Sequence, residues 1–304
     1  MYREWAMVSL RERSESRLQT VKRRLLKIPA LQLIYRTALE SGNHDATQRA
    51  ASVAYYAFLS IFPLLLGLIA IFGFFLPSIN FQDELLKFVG NNVPGATNIL
   101  MQNITDIIKL RGVMSVLSIV LLFWSASTMF SAISLAINRA WDIRMSRPFI
   151  IRKASELGMA LSLGVLFLLS LGASTIISIL HGSLNLPTTD FIIVNLISRF
   201  VAFLLMLAVF LLLYKFIPNV KTYWRYVWPG ALLAAILFEI ARSLFIFYLE
   251  HLANYELIYG SITSIIALLV WIYYSAFILI LGAEFTFQYS HMRNSVTTGG
   301  STVN

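Results

Sequence analysis

The stretch RAASVAYYAFLSIFPLLL, residues 49–66, decides the fold class, because after Arg49 it runs on without a charge to Phe75. From Ala50 to Leu76 it exceeds the roughly 20 apolar residues that carry a helix across a hydrocarbon layer of about 30 Å. Asp45, with Gln48 three residues on, reads as a capping box that opens this helix. Tyr55, Tyr56 and Ser60 bring hydroxyls into the apolar zone, and Pro63 withdraws a backbone donor. In a bilayer such groups need partners from other helices or from water in a cavity. The segment is therefore expected to sit within a bundle.

The composition agrees with a chain that lives in lipid. Hydrophobic residues make up 58% and charged residues 13%, with mean hydropathy +0.74, whereas soluble domains carry about 25% charged residues. The absence of cysteine excludes disulfides, thiolate metal sites and thiol nucleophiles. No apolar h-region lies in residues 1–49, so no cleavable signal peptide is expected.

Six spans are expected, at Ala50–Leu76, Val113–Ile137, Gly158–Leu180, Ile192–Phe216, Trp228–Leu249 and Gly260–Phe287. The charges between them alternate. The four segments on one side of the spans carry +12 in total, and the three loops on the other side carry −3. This is the positive-inside pattern, and it puts both termini in the cytoplasm. The net charge of +9 is thus a matter of topology, and no nucleic acid is expected as a partner. The fold class is all-α: a six-helix polytopic membrane domain (50–287), a basic N-terminal arm (1–49) and a flexible tail (288–304).

Short amphipathic helices are expected in the arm and in the first outer loop. Leu18, Val21, Leu25 and Ile28 recur at helical spacing among Arg17, Lys22, Arg23, Arg24 and Lys27, which reads as a helix on the inner leaflet holding anionic lipid. Pro29 breaks or kinks it. The loop from Pro77 to Gly112 carries two further apolar stripes around Val93-Pro94-Gly95.

Ionisable residues inside spans are functional candidates by default, since each costs several kcal/mol unless paired or hydrated. Arg199 lies about 10 Å deep at helical rise. Glu239 is near mid-membrane in the fifth span, and Arg242 follows one turn on. Glu239 either pairs with these arginines or stands in water. The transport-pathway candidates are Arg199, Glu239, Arg242, Tyr55, Tyr56, Ser60, Pro63, Tyr259, Ser261 and Glu284. Glu284 is placed near the cytoplasmic interface, where basic loops make a carboxylate tolerable.

The motifs Arg49-Ala-Ala-Ser-x-Ala-Tyr-Tyr-x-x-Leu-Ser-x-Phe-Pro, Pro229-Gly230-Ala231, Tyr259-Gly-Ser-Ile and Leu281-Gly-Ala-Glu284 resemble the BrkB/YihY family over roughly residues 34–290. The resemblance implies a bacterial inner-membrane protein with six helices, linked to envelope integrity, serum resistance and export of lipids or small solutes. It supplies no assigned catalytic or binding residue.

The family also bears an old label, ribonuclease BN, which the residues do not favour. A metal-dependent nuclease needs clustered His and carboxylate ligands, and His44, His181, His251 and His291 each stand alone in the sequence. No cofactor, metal site or catalytic residue is expected. The leading expectation is a transporter or flippase-like protein for a lipid or other amphiphile, with a small solute as the second substrate class. The alternative is a non-transporting scaffold of an envelope complex. Anionic membrane lipids are the expected partners, with an envelope protein or a second copy of the chain beside them.

Overall fold

A computed structural model describes residues 29–75, 114–143, 148, 150–166, 188–251 and 261–299. The described residues form seven helices: α1 (Pro29–Asn43), α2 (Ala46–Phe75), α3 (Met114–Ala140), α4 (150–166), α5 (Thr188–Phe216), α6 (Trp224–His251) and α7 (Ser261–Gly299).

Four of these are long and apolar enough to cross a membrane: Val120–Ala140, Arg199–Phe216, Trp224–Leu249 and Ile265–Arg293. They correspond to the second, fourth, fifth and sixth expected spans. The first expected span ends at a residue outside the described set, and the third runs into residues 167–180, also outside it. Of the amphipathic segment expected over residues 14–36, residues 14–28 lie outside the described residues and 29–36 belong to α1; the pieces expected in the first outer loop and the lipid-contact candidates Arg17 to Lys27 lie outside the described residues too.

Small residues set the packing. Ala46, Ala50, Ala136, Ala140, Ala231, Ala234 and Ala283 are all buried in one core, together with Ile137, Tyr214 and Val227. This core gathers the start of α2, the ends of α3 and α5, the start of α6 and the later part of α7. Small side chains let helix backbones approach closely where lipid removes any hydrophobic drive for association. Ser60 in α2 donates to the backbone carbonyl of Ser125 in α3 at 3.0 Å and to its own Tyr56 carbonyl at 2.7 Å, and so crosses the seam between the two helices. Large apolar side chains lie outward instead, among them Trp124, Ile150 and Leu244, as suits a surface solvated by acyl chains.

Local chemistry ends the helices. Pro29 stands at the first position of α1, where its fixed φ is already helical and its missing N–H has no partner to lose. Asp142 takes φ 51° at the end of α3; its N–H bonds the Arg139 carbonyl and Ile143 N–H bonds the Asn138 carbonyl, both at 2.9 Å. That pairing is the Schellman motif, with aspartate in the left-handed position that glycine usually fills. Arg139 and Asp142, expected to pair across one turn, stand 3.9 Å apart.

Two local expectations are corrected. Asp45 has φ 53°, not the extended conformation of a capping residue. It opens α2 through its carbonyl, which accepts from Arg49 N–H at 3.0 Å. The tail also departs from expectation. α7 does not stop near Tyr289 but continues to Gly299, with Gln288 and Ser290 buried.

Candidate functional site

Glu284 has a side chain with no exposed area and is buried inside the bundle. Its Oε2 lies 3.0 Å from His44 Nδ1, and its Oε1 accepts from Gln288 Nε2 at 3.1 Å. His44 sits in the turn between α1 and α2, and its carbonyl accepts from Arg49 Nε at 3.0 Å. Residues 240 positions apart thus lock the α1–α2 turn onto α7. His44 is not isolated, as the sequence suggests, but partnered. Burial first, and the nearby Arg139 charge second, lower the Arg49 pKa, against the pull of Asp45.

The connection between α3 and α4 holds a cluster that sequence reasoning missed. Helix geometry is present from residue 150, eight residues before the apolar run begins at Gly158. Glu156, counted in the sequence among the charges of a loop, is therefore helical and only 3% exposed. Lys153 Nζ lies 2.9 Å from Glu156 Oε2 and 2.8 Å from Ser127 Oγ of α3, while Arg152 Nε is 3.9 Å from Glu156 Oε1. The i, i+3 and i, i+4 spacing of two bases and an acid is the signal that could have found it.

The intramembrane candidates are placed as follows. Arg242 Nη1 lies 3.6 Å from Glu239 Oε1, the pairing expected within α6. The Glu239 side chain is 51% exposed and that of Arg242 26%. Arg199 is exposed and has no ion-pair partner among the described residues, so it does not reach Glu239. Tyr55 and Tyr56 stack edge to face at 5.5 Å but both are exposed, not turned into the bundle. Pro63 is half-buried within α2. Tyr259 lies outside the described residues; Ser261 begins α7. The structure thus separates these residues. Glu284 belongs to the core, Ser60 to the α2–α3 seam, and Glu239 and Arg242 to an open face of α6.

That open face gives a measurement that decides its solvent. Glu239→Gln is expected to destabilise the protein by about 2.5–3.5 kcal/mol if lipid bathes Arg242, and by less than about 1 kcal/mol if water does. Adding Arg242→Gln should recover most of the larger loss, read as thermal unfolding in lipid nanodiscs.

On another side of α6, a cavity of about 640 Å³ opens between it and α7. Leu244, Phe245, Tyr248, Val270, Trp271 and Tyr274 line it, and Phe245 stacks on Trp271 at 5.3 Å. The size falls within the range of small-molecule sites, about 300–1,000 Å³. The lining suits an acyl chain. Among the described residues, no group of three His, Asp or Glu could hold a metal ion.

Residues 37–302 match the family described as Virulence factor BrkB. The chain belongs to this family. A UPF0761 membrane protein of Pelodictyon phaeoclathratiforme is 33% identical over 243 residues, which span 78% of this chain and 55% of that relative. The chain therefore accounts for little more than half the length of that BrkB-family relative. A UPF0761 membrane protein of Vibrio campbellii is 30% identical over 273 residues, covering 88% and 86% of the two chains. A protein of Bacillus subtilis named Putative ribonuclease-like protein YfkH is 30% identical over 251 residues, covering 79% and 89%. No solved structure matches. The family and its relatives' names make this a membrane protein of the BrkB/UPF0761 kind, in line with its apolar helices.

Proposed function

We propose that the protein moves an amphiphile with an anionic head, a lipid foremost, across the bacterial inner membrane, with both termini in the cytoplasm. The observation that carries this reading is the set of ionisable residues on helices of spanning length: exposed Arg199 on α5, and on α6 exposed Glu239 paired with half-buried Arg242. Such groups are rare in lipid and mark substrate or ion paths. Two arginines against one acid leave a local positive surplus, and guanidinium forks suit phosphate. The apolar cavity between α6 and α7 offers shelter to acyl chains.

The test is reconstitution into liposomes that carry a head-group-labelled anionic lipid, with leaflet exchange followed by an impermeant quencher. Arg199→Gln and Arg242→Gln should each slow exchange about tenfold, in keeping with loss of a charge-assisted hydrogen bond, without a matching loss of folded protein. Exchange no faster than in empty liposomes, with an ion gradient and candidate partners supplied, would sink the reading. The scaffold alternative has one observation in its favour: Glu239 and Arg242 pair with each other at 3.6 Å, which is enough to neutralise both without any substrate.

A further inference from the structure

A second cavity, of about 660 Å³, lies between α4, the last turn of α5 and the connection from α5 to α6. Its apolar wall comes from Met159, Leu212, Phe216 and Val220, and two lysines, Lys215 and Lys221, also line it. Lys221 is exposed. Lys215 Nζ donates to the Thr222 carbonyl and lies 5.4 Å from the centre of the Trp224 ring. Thr222 returns a bond from its hydroxyl to the Lys215 carbonyl at 2.8 Å, which fixes the connection against the helix end. A smaller cavity shares Ser155, Met159 and Phe216 with this one and adds Arg152 and Glu156 to the wall.

The charges are lopsided. Lys215 and Lys221 line the larger cavity and Arg152 the smaller, where Lys153 also holds Glu156. Glu156 is the single carboxylate of either lining, and two cations already hold it. A lysine in the last turn of a helix also answers the helix dipole, which accounts for Lys215 alone. It accounts neither for Lys221 nor for an apolar-walled space beside both. An ammonium offers three donors, and Lys215 spends one of them on Thr222. The combination is a place for an anion that has an apolar body.

We propose that this cavity seats the phosphate-bearing head and upper chain of an anionic amphiphile drawn from the adjoining leaflet. The inference rests on the transport reading and deepens it by giving the cargo a loading place. Binding can nevertheless be read whether or not anything is moved.

The test uses the full chain in neutral detergent, with bound molecules counted by intact-complex mass spectrometry. Dioctanoyl phosphatidic acid should bind at least tenfold more tightly than dioctanoyl phosphatidylcholine or inorganic phosphate. Lys215→Gln with Lys221→Gln should weaken it about tenfold. A second variant avoids the charges altogether. A Cβ on Gly158, which lines the cavity, would meet no atom within 4 Å, so Gly158→Leu should put an apolar side chain into part of the space and weaken binding without disturbing the helix. Wild-type binding in both variants would overturn the proposal, and equal binding of inorganic phosphate would overturn its lipid part. Loss of binding in both variants with leaflet exchange unchanged would refute loading here and leave transport standing. Intact binding with no exchange by the wild type would do the reverse.

Discussion

Gly282→Ala should destabilise the folded protein strongly, although it adds a single methyl group. A Cβ at this position would stand 2.3 Å from Tyr214 Oη and 2.8 Å from Ala234 Cβ. Neither neighbour can give way. Tyr214 is fully buried and donates its hydroxyl to the Leu279 carbonyl at 2.8 Å, and Ala234 is fixed to the α6 backbone and fully buried. Gly230 is the opposite half of the same approach. A Cβ there would lie 1.8 Å from Thr286 Oγ1, which a rotamer change could relieve, but also 2.8 Å from the Gly282 carbonyl, which no rotamer can. Overpacking costs about 1–3 kcal/mol and occasionally more. With backbone on one side and a bonded tyrosine on the other, both substitutions belong at the upper end, about a hundredfold in the folding equilibrium constant. Gly42→Ala provides the control, since a Cβ there meets nothing within 4 Å; it should hold or gain up to about 1 kcal/mol from helix propensity. Size-exclusion yield and thermal unfolding report all three. Wild-type behaviour of Gly282→Ala would disprove the close approach of α6 and α7.

The second large effect concerns Glu284. Glu284→Ala removes the acceptor for Gln288 Nε2 and the partner of His44 Nδ1 from a place without solvent. Leaving a buried hydrogen-bonding group without its partner costs about 1–3 kcal/mol. Glu284→Gln keeps the volume and an oxygen that can accept, so it should retain most of the stability. The gap between the two variants in a melting experiment measures what the bonds contribute. Equal melting of both variants and wild type would mean that the α1–α2 turn is held on α7 by apolar packing alone.

Much of this architecture is legible in the chain, for reasons that also mark where legibility stops. Apolar run length and alternating loop charge locate the spans of α3, α5, α6 and α7, because lipid imposes both on any crossing helix. The same hydropathy places the third span at Gly158, whereas the helix is already present at residue 150. Apolarity marks where lipid begins, not where a helix begins, and Lys153 and Glu156 fall in the difference. The Glu239–Arg242 pair could be read because its partners are three residues apart. The Glu284–His44 pair could not, since nothing local to either residue names a partner 240 positions away. Asp45 misleads for a related reason: aspartate suits both a capping side chain and a left-handed turn, and only the path of the chain chooses between them.

α7 carries a consequence of its own. Its 39 residues amount to about 58 Å at helical rise, roughly twice the hydrocarbon thickness. A helix cut to the bilayer is held at its height by the mismatch energy at its two ends. The apolar part of α7, Ile265–Arg293 at 29 residues or about 43 Å, still exceeds the hydrocarbon thickness, so the lipid fixes its height only weakly. Its vertical register must come mainly from protein: the Gly230–Gly282 approach to α6 and the His44–Glu284 tie to the α1–α2 turn. Thinner and thicker membranes should therefore seat the same bundle without changing its internal alignment.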